Sequence, residues 1–212
     1  MKIIEVRSLN IPDIKIIRYA RFLDKRGYFT ETLKLSDFNT LSELAFLKGF
    51  NFPQENESFS YKNVVRGLHI QWNPGIGKLM RVVEGRIIDV GVDMRINSPY
   101  FGKIVGYELS DNKNKDFQEA IWLPIGFAHG VYVLEETQLI YAQTEEYSPT
   151  TERSISPFAP DIDWSLFETE LKSRVDEIKN NSPLISSKDR DGLTIKDWME
   201  DTGVDQFKLE SS

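Results

Sequence analysis

The sequence predicts a mainly β chain folded as an antiparallel sandwich or barrel, with a jelly roll favoured, and three observations carry that prediction. From Val64 to about Tyr147, short apolar segments rich in β-branched residues follow one another, turn-forming residues separate them, and no long helix intervenes. A parallel α/β sheet needs a crossover helix between strands and is disfavoured.

Residues 1–35 read as strands broken by a turn at Asp24-Lys25-Arg26-Gly27. Thr40-Leu41-Ser42-Glu43 has capping-box spacing, and Leu41, Leu44, Ala45 and Leu47 ahead of Gly49 predict a short helix with a glycine stop. Strands are predicted over Leu79–Val83, Arg86–Val92, Ile104–Leu109, Ala120–Leu123, Val131–Leu134 and Gln138–Gln143. Pro74-Gly75, Glu84-Gly85, Asn97-Ser98-Pro99, Asp111-Asn112-Lys113-Asn114 and Glu135-Glu136 supply the turns between them. After Asp161 the pattern changes: Phe167, Leu171, Val175 and Ile178 recur at helical spacing among charges, predicting an amphipathic helix over Trp164–Lys179. A second helix is expected over Leu193–Met199, and the last dozen residues read as loosely held. The division expected is a catalytic domain over residues 1–165 and a helical appendage over 166–212.

Composition narrows the function classes. With 40% hydrophobic residues among 212, the chain can bury a full core. It has no cysteine, which excludes disulfides, thiolate zinc sites and thiol catalysis. The net charge of −7, from 26 basic and 33 acidic residues, argues against nucleic acid or an anionic membrane as partner. The start, Met1-Lys2-Ile3-Ile4-Glu5-Val6, alternates like a strand and lacks the pattern of a signal peptide; no apolar run is long enough to span a bilayer, so a cytoplasmic protein is expected. An anionic substrate would need a local basic pocket.

The only two histidines lie in Arg66-Gly67-Leu68-His69-Ile70-Gln71 and Pro124-Ile125-Gly126-Phe127-Ala128-His129. Histidine is the side chain best suited to moving protons near neutral pH. Metal-binding cupins, a common jelly-roll class, pair two histidines as H-x-H, follow them with a glutamate and a glycine, and close with P-x-G-x2-H-x3-N. Here the pattern reads His69-Ile70-Gln71, then Lys78 and Gly85, and later Pro124, Gly126 and His129 with Val133 in place of the asparagine. The frame survives while the ligand set does not, because glutamine is a weak ligand and a protonated lysine repels a divalent cation. No metal is therefore expected, and Lys78 is placed where its charge can stabilise a developing enolate, with His69 as base. The competing reading makes both histidines half-buried hydrogen-bonding residues and Lys78 a surface lysine.

The run from Arg66 to Pro149, with RGLHIQ, GKLMRVVEG, DVGVDMRINSPYFGK, WLPIGFAHG and IYAQTEEYSP, resembles the dTDP-4-dehydrorhamnose 3,5-epimerase family of sugar-nucleotide epimerases. Upstream, Asp24 to Glu31 and Gln54-Glu55-Asn56 are similar to its N-terminal motifs, and downstream Leu184 to Asp189 resembles its LS-x-KD segment, so that the likeness covers residues 10–192. The resemblance implies a cupin jelly roll that epimerises a nucleoside-diphosphate 4-keto-6-deoxyhexose, dTDP-linked by first expectation, at C3, C5 or both, without a cofactor. It implies that His69 is the base, Asp189 its orienting carboxylate, Lys78 the enolate stabiliser and Tyr141 the opposed acid. Arg26 and Arg66 match pyrophosphate-holding arginines, and Phe29, Glu31, Gln54, Asn56, His129 and Tyr147 match positions lining the nucleotide and sugar sites. A homodimer is implied, with the N-terminal strands joining the partner's sheet.

This set agrees with the chemistry. Epimerisation next to a ketone needs a base, an opposed acid and an oxyanion stabiliser, and no redox cofactor. Glu146-Tyr147 stands where many family members carry two tyrosines, which predicts a carboxylate beside the proton donor. The rivals are a 3,4-ketoisomerase, against which the missing H-x-H pair argues, a single-centre epimerase on another nucleotide sugar, and a carbohydrate-binding cupin without catalysis.

Overall fold

The computed structural model describes residues 1–111, 113–201 and 204–207. Asn112, in one predicted turn, and residues 202–203 and 208–212 of the last dozen lie outside that description. Its strands are β1 (Ile3–Ser8), β2 (Lys15–Ala20), β3 (Phe22–Asp24), β4 (Gly27–Phe29), β5 (Gln54–Ser60), β6 (Val65–Gln71), β7 (Lys78–Glu84), β8 (Arg86–Asp93), β9 (Ile104–Ser110), β10 (Phe117–Leu123), β11 (Phe127–Val133), β12 (Thr137–Gln143) and β13 (Glu152–Ser154). Helices α1 (Leu35–Thr40), α2 (Thr169–Asn180), α3 (Ser187–Arg190) and α4 (Ile195–Met199) complete the set, with 3-10 turns at Ser42–Leu47, Pro149–Thr151 and Val204–Phe207.

Two antiparallel sheets face each other. One has the order β1-β2-β10-β7-β12-β5 and the other β13-β6-β11-β8-β9, while β3 and β4 form a separate hairpin around the predicted turn at Asp24 to Gly27. This is the expected mainly β cupin arrangement. Ile16, Met80, Val82 and Leu139 of the first sheet pack with Ile87, Val105, Val131 and Val133 of the second, so the central core lies between the sheets. The second sheet is also covered on its other face. Val65, Ile88, Val90 and Ile104 pack there against Leu171, Val175, Ile178 and Trp198 of the C-terminal helices. Burial on both faces explains why β8 is buried almost throughout and reads as a mostly apolar segment, interrupted by Asp89, rather than an alternating one.

The structure departs from the sequence expectations in identifiable ways. The capping box at Thr40 does not form: Thr40 closes α1, its hydroxyl donating to the Ser36 carbonyl, and the predicted helix is a 3-10 turn with Leu41 before it and no side-chain cap. Helix α2 begins at Thr169 rather than Trp164, because the Asp163 carboxylate accepts from the Ser165 N–H and holds a turn there. Strand β11 begins at Phe127, four residues earlier than expected, which puts His129 inside a strand. Within the last dozen residues Phe207 is buried, its ring 6.1 Å from that of Trp198. Among the described residues no helix is long and apolar enough to cross a membrane.

Candidate active site

Antiparallel pairing brings the two histidines together. His69 of β6 and His129 of β11 are register partners in one sheet, although 60 residues of sequence part them. The strands approach closely because Gly67 lies between them: at φ +95° it occupies a conformation side chains rarely adopt, and a Cβ there would fall 2.5 Å from the His129 carbonyl oxygen.

Each histidine has its own carboxylate. His69 Nε2 lies 2.7 Å from Asp189 Oδ1, which leaves Nδ1 free, on the side of Glu152 at 4.0 Å. Asp189 sits on α3, where its backbone N–H donates to the capping Ser186 hydroxyl. Its side chain accepts from the Gly67 N–H and from the Ser154 hydroxyl, each at 3.2 Å. Burial raises the Asp189 carboxyl, but the hydrogen bonds and the attraction of His69 outweigh it, and its pKa falls below the ordinary value. On the other side His129 Nε2 lies 3.0 Å from both oxygens of Asp89. That pair and Lys78 form a buried charged cluster in which burial acts most strongly. It pushes the Asp89 carboxyl up and the His129 imidazole and Lys78 ammonium down, while the attractions among them, and of Glu152 for Lys78, oppose the shifts.

His69, Asp189, His129 and Lys78 line a cavity of about 170 Å³, together with Arg66, Tyr141, Ser58, Met80, Val131 and Leu139. His69 and His129 enter it from one sheet, and Lys78 and Tyr141 from the other. Next to it a narrow slot shares His69, Lys78 and His129 and adds Gln143, Tyr147 and Glu152. Burial raises the Tyr141 phenol, the Glu152 charge adds to the rise, and Arg66 opposes it, so Tyr141 keeps its proton at neutral pH.

The remaining predicted residues divide into four groups. Arg66 reaches the cavity while its guanidinium donates to the Ser60 hydroxyl and the Phe59 carbonyl. Gln54 and Asn56 support the wall: Gln54 donates to Asn56, Asn56 to Gln143, and the Tyr147 N–H donates to Gln54. Tyr147 stands at the slot, half exposed, with its hydroxyl 3.3 Å from Glu152. Arg26, Phe29 and Glu31, by contrast, do not line the cavity within one chain. Arg26 is 90% exposed and paired with Asp24, and Glu31 lies 3.2 Å from the Met1 amino group.

Gln71 spends its side chain on the fold. Its amide donates to the Pro74 and Glu146 carbonyls, and its oxygen accepts from the Ser148 N–H. Among the described residues no group of three or more His, Asp or Glu side chains is placed to hold a metal ion. The Glu146 side chain is exposed and outside the cavity lining, so the carboxylate that acts on Tyr141 is Glu152 instead. Sequence reasoning missed Asp89 and Glu152. A carboxylate inside the apolar run Ile87 to Val92 is a signal that could have revealed Asp89, whereas Glu152 follows a loop and carries none.

Comparisons with known proteins place the chain in a family. The family model described as dTDP-4-dehydrorhamnose 3,5-epimerase matches residues 8–197. A dTDP-4-dehydrorhamnose 3,5-epimerase of Pseudomonas aeruginosa is 38% identical over 89% of this chain and 94% of its own length. A dTDP-4-dehydrorhamnose 3-epimerase of Streptomyces niveus is 30% identical over 90% of this chain and 83% of its own. The crystal structure of a dTDP-6-deoxy-D-glucose-3,5-epimerase from Legionella pneumophila, in complex with dTDP-4-keto-L-rhamnose, superposes with a TM-score of 0.79. It is 31% identical and covers 98% of this chain and 99% of its own.

Proposed function

Because the chain belongs to the dTDP-4-dehydrorhamnose 3,5-epimerase family, we propose that it epimerises dTDP-4-keto-6-deoxyglucose at C3 and C5 by enolisation, as an isomerase of deoxysugar biosynthesis. The observation that carries this reading is the placement of His69 and Tyr141 on opposite sheets of one cavity, with Lys78 entering it from the tyrosine's sheet. Inversion needs a proton removed on one face and returned on the other, and a base and an acid that face each other across the sugar provide that.

In each half of the reaction His69 Nδ1 takes the proton from the carbon beside the 4-keto group, and the C–H electron pair moves into the enolate. Asp189 holds Nε2 protonated, keeps Nδ1 as the lone-pair nitrogen and stabilises the imidazolium that forms. Lys78 Nζ donates to the enolate oxygen. Its lowered pKa brings its acidity closer to that of the enol, which strengthens the donation. The Tyr141 hydroxyl then protonates the carbon from the opposite face. Exchange with solvent restores both side chains, and the carbon skeleton undergoes no net redox change.

Arg66 takes the pyrophosphate and Tyr147 the nucleotide side of the slot in this reading. The chain works as a cytoplasmic homodimer. The β3–β4 hairpin and the segment after it expose Phe22, Leu23, Tyr28, Phe29, Leu33 and Leu35, an apolar surface suited to burial against a second copy. A hairpin supplied by that copy would bring Arg26, Phe29 and Glu31 to the cavity mouth. Residues 166–212 act as an appendage to the 1–165 domain and contribute Asp189.

The test is incubation with dTDP-4-keto-6-deoxyglucose in D2O, followed by NMR. Deuterium should enter at C3 and C5 as the L-lyxo product forms, and absence of exchange at both carbons would refute the assignment.

A further inference from the structure

Helix α4 and the 3-10 turn at Val204–Phe207 stand behind the narrow slot, and among the described residues neither contributes to its lining. The slot takes part of its wall from three stretches: Ile76 from the loop after β6, Pro124 and Phe127 from the β10–β11 turn and the start of β11, and Glu152 from β13. Phe207 is buried against the first two. A Cβ built on Gly75 would fall 3.6 Å from its ring and one built on Gly126 3.5 Å, so a single ring occupies the space that both glycines leave open. Trp198 backs that ring; it packs edge-on against Trp72 of the first loop, centroids 6.1 Å apart, and its indole N–H donates to the Met94 carbonyl. The third stretch is tied to the same segment, since Arg153 of β13 donates to Asp201 at 3.0 Å and lies 4.8 Å above the Trp72 ring.

We propose that Phe207 is a positioning residue for the nucleotide end of the substrate: it wedges the two glycine turns in place and so sets the width of the slot. The inference rests on the nucleotide occupying that slot, as proposed above. A large-to-small change at a packed position leaves a void that the surroundings fill only in part. Of the neighbours of Phe207, Trp198 is fixed on a helix, whereas Gly75 and Gly126 belong to turns, and the turns are what can give way. Their movement toward the void would carry Ile76 and Pro124 with them and leave the ligand to order a wall that the tail now holds ready. His69, Lys78 and Tyr141 are held by the ladders of β6, β7 and β12 and stay where they are. Loss of the wedge therefore weakens binding and spares the chemical step.

The test measures dTDP affinity by calorimetry, and kcat and KM with dTDP-4-keto-6-deoxyglucose, at a temperature where every variant is folded by circular dichroism. Phe207→Ala should raise the dTDP Kd and the KM together by about five- to fiftyfold and leave kcat within about twofold. Phe207→Leu, which refills most of the space, should restore both to within about threefold of wild type. Leu171→Ala serves as the control, because Leu171 lies in the same core on α2 and belongs to neither glycine turn. It should lower the melting temperature without moving Kd or KM. If Phe207→Ala does not fold, Phe207→Val makes a smaller void and decides the matter. Unchanged Kd and KM in the Phe207 variants, an equal rise in Leu171→Ala, or a fall in kcat at constant KM would overturn the inference while leaving the substrate class intact. A wild type that binds no dTDP would overturn both.

Discussion

Asp189→Asn exchanges one carboxylate oxygen for an NH2 group and should silence the proposed base. In the wild type one Asp189 oxygen accepts from the Gly67 N–H and the other faces His69 Nε2 and the Ser154 hydroxyl. The Gly67 N–H can only donate, and leaving it unpaired in a buried site costs about 1–3 kcal/mol. The new side chain therefore keeps its oxygen toward Gly67 and turns its NH2 toward His69; the Ser154 hydroxyl can rotate to accept. His69 Nε2 must then accept as well, which moves the ring proton to Nδ1, the nitrogen that faces the substrate. Loss of a general base costs about 10²–10⁴-fold, and a wrong-tautomer substitution of this kind belongs at the upper end. The assay is kcat/KM with dTDP-4-keto-6-deoxyglucose together with deuterium uptake at C3 and C5; both should fall together while dTDP affinity stays within a few-fold. Activity within tenfold of wild type would refute the tautomer argument. The same variant tests the acid side of stability. Since the folded pKa of Asp189 is lowered, its ionised form contributes stability above about pH 4, and that contribution is lost as pH falls through the folded value. The stability gap between wild type and variant should thus shrink below about pH 4, and a gap constant down to pH 2 would contradict the assigned hydrogen bonds.

Three further outcomes follow from the same geometry. Tyr141→Phe should still let His69 wash deuterium into the sugar while inverted product forms at least about 10²-fold more slowly; inversion at the wild-type rate would remove Tyr141 as donor. Lys78→Met should depress exchange at both carbons by about 10²–10³-fold, the cost of one oxyanion donor, and unaltered exchange would return Lys78 to a structural role. Prolonged chelation should leave turnover unchanged, since Gln71 is committed to backbone groups and Lys78 occupies a would-be ligand position; an activity that chelation abolishes and a metal restores would reverse that reading.

What was legible in the sequence was whatever depends on short-range pattern. Alternation and turn residues marked the strands from Leu79 to Gln143, and helical spacing marked α2, because those signals repeat within a few residues. Strands β5 and β13 escaped for the same reason. Gln54-Glu55-Asn56-Glu57-Ser58 is polar on both faces, and β13 has only three residues. The site depended on contacts that no local pattern encodes. Asp189 reaches His69 across 120 positions because α3 docks beside β6, and Ser-Ser-Lys-Asp by itself reads as a helix cap, which it also is. The resemblance to a known family named Asp189 where the residues alone could not. It also named Arg26, Phe29 and Glu31, and these are the positions that a single chain leaves away from the cavity. Side chains matched to a substrate yet exposed beside apolar residues are what the proposed homodimer, with a site shared between its copies, would leave on each of them.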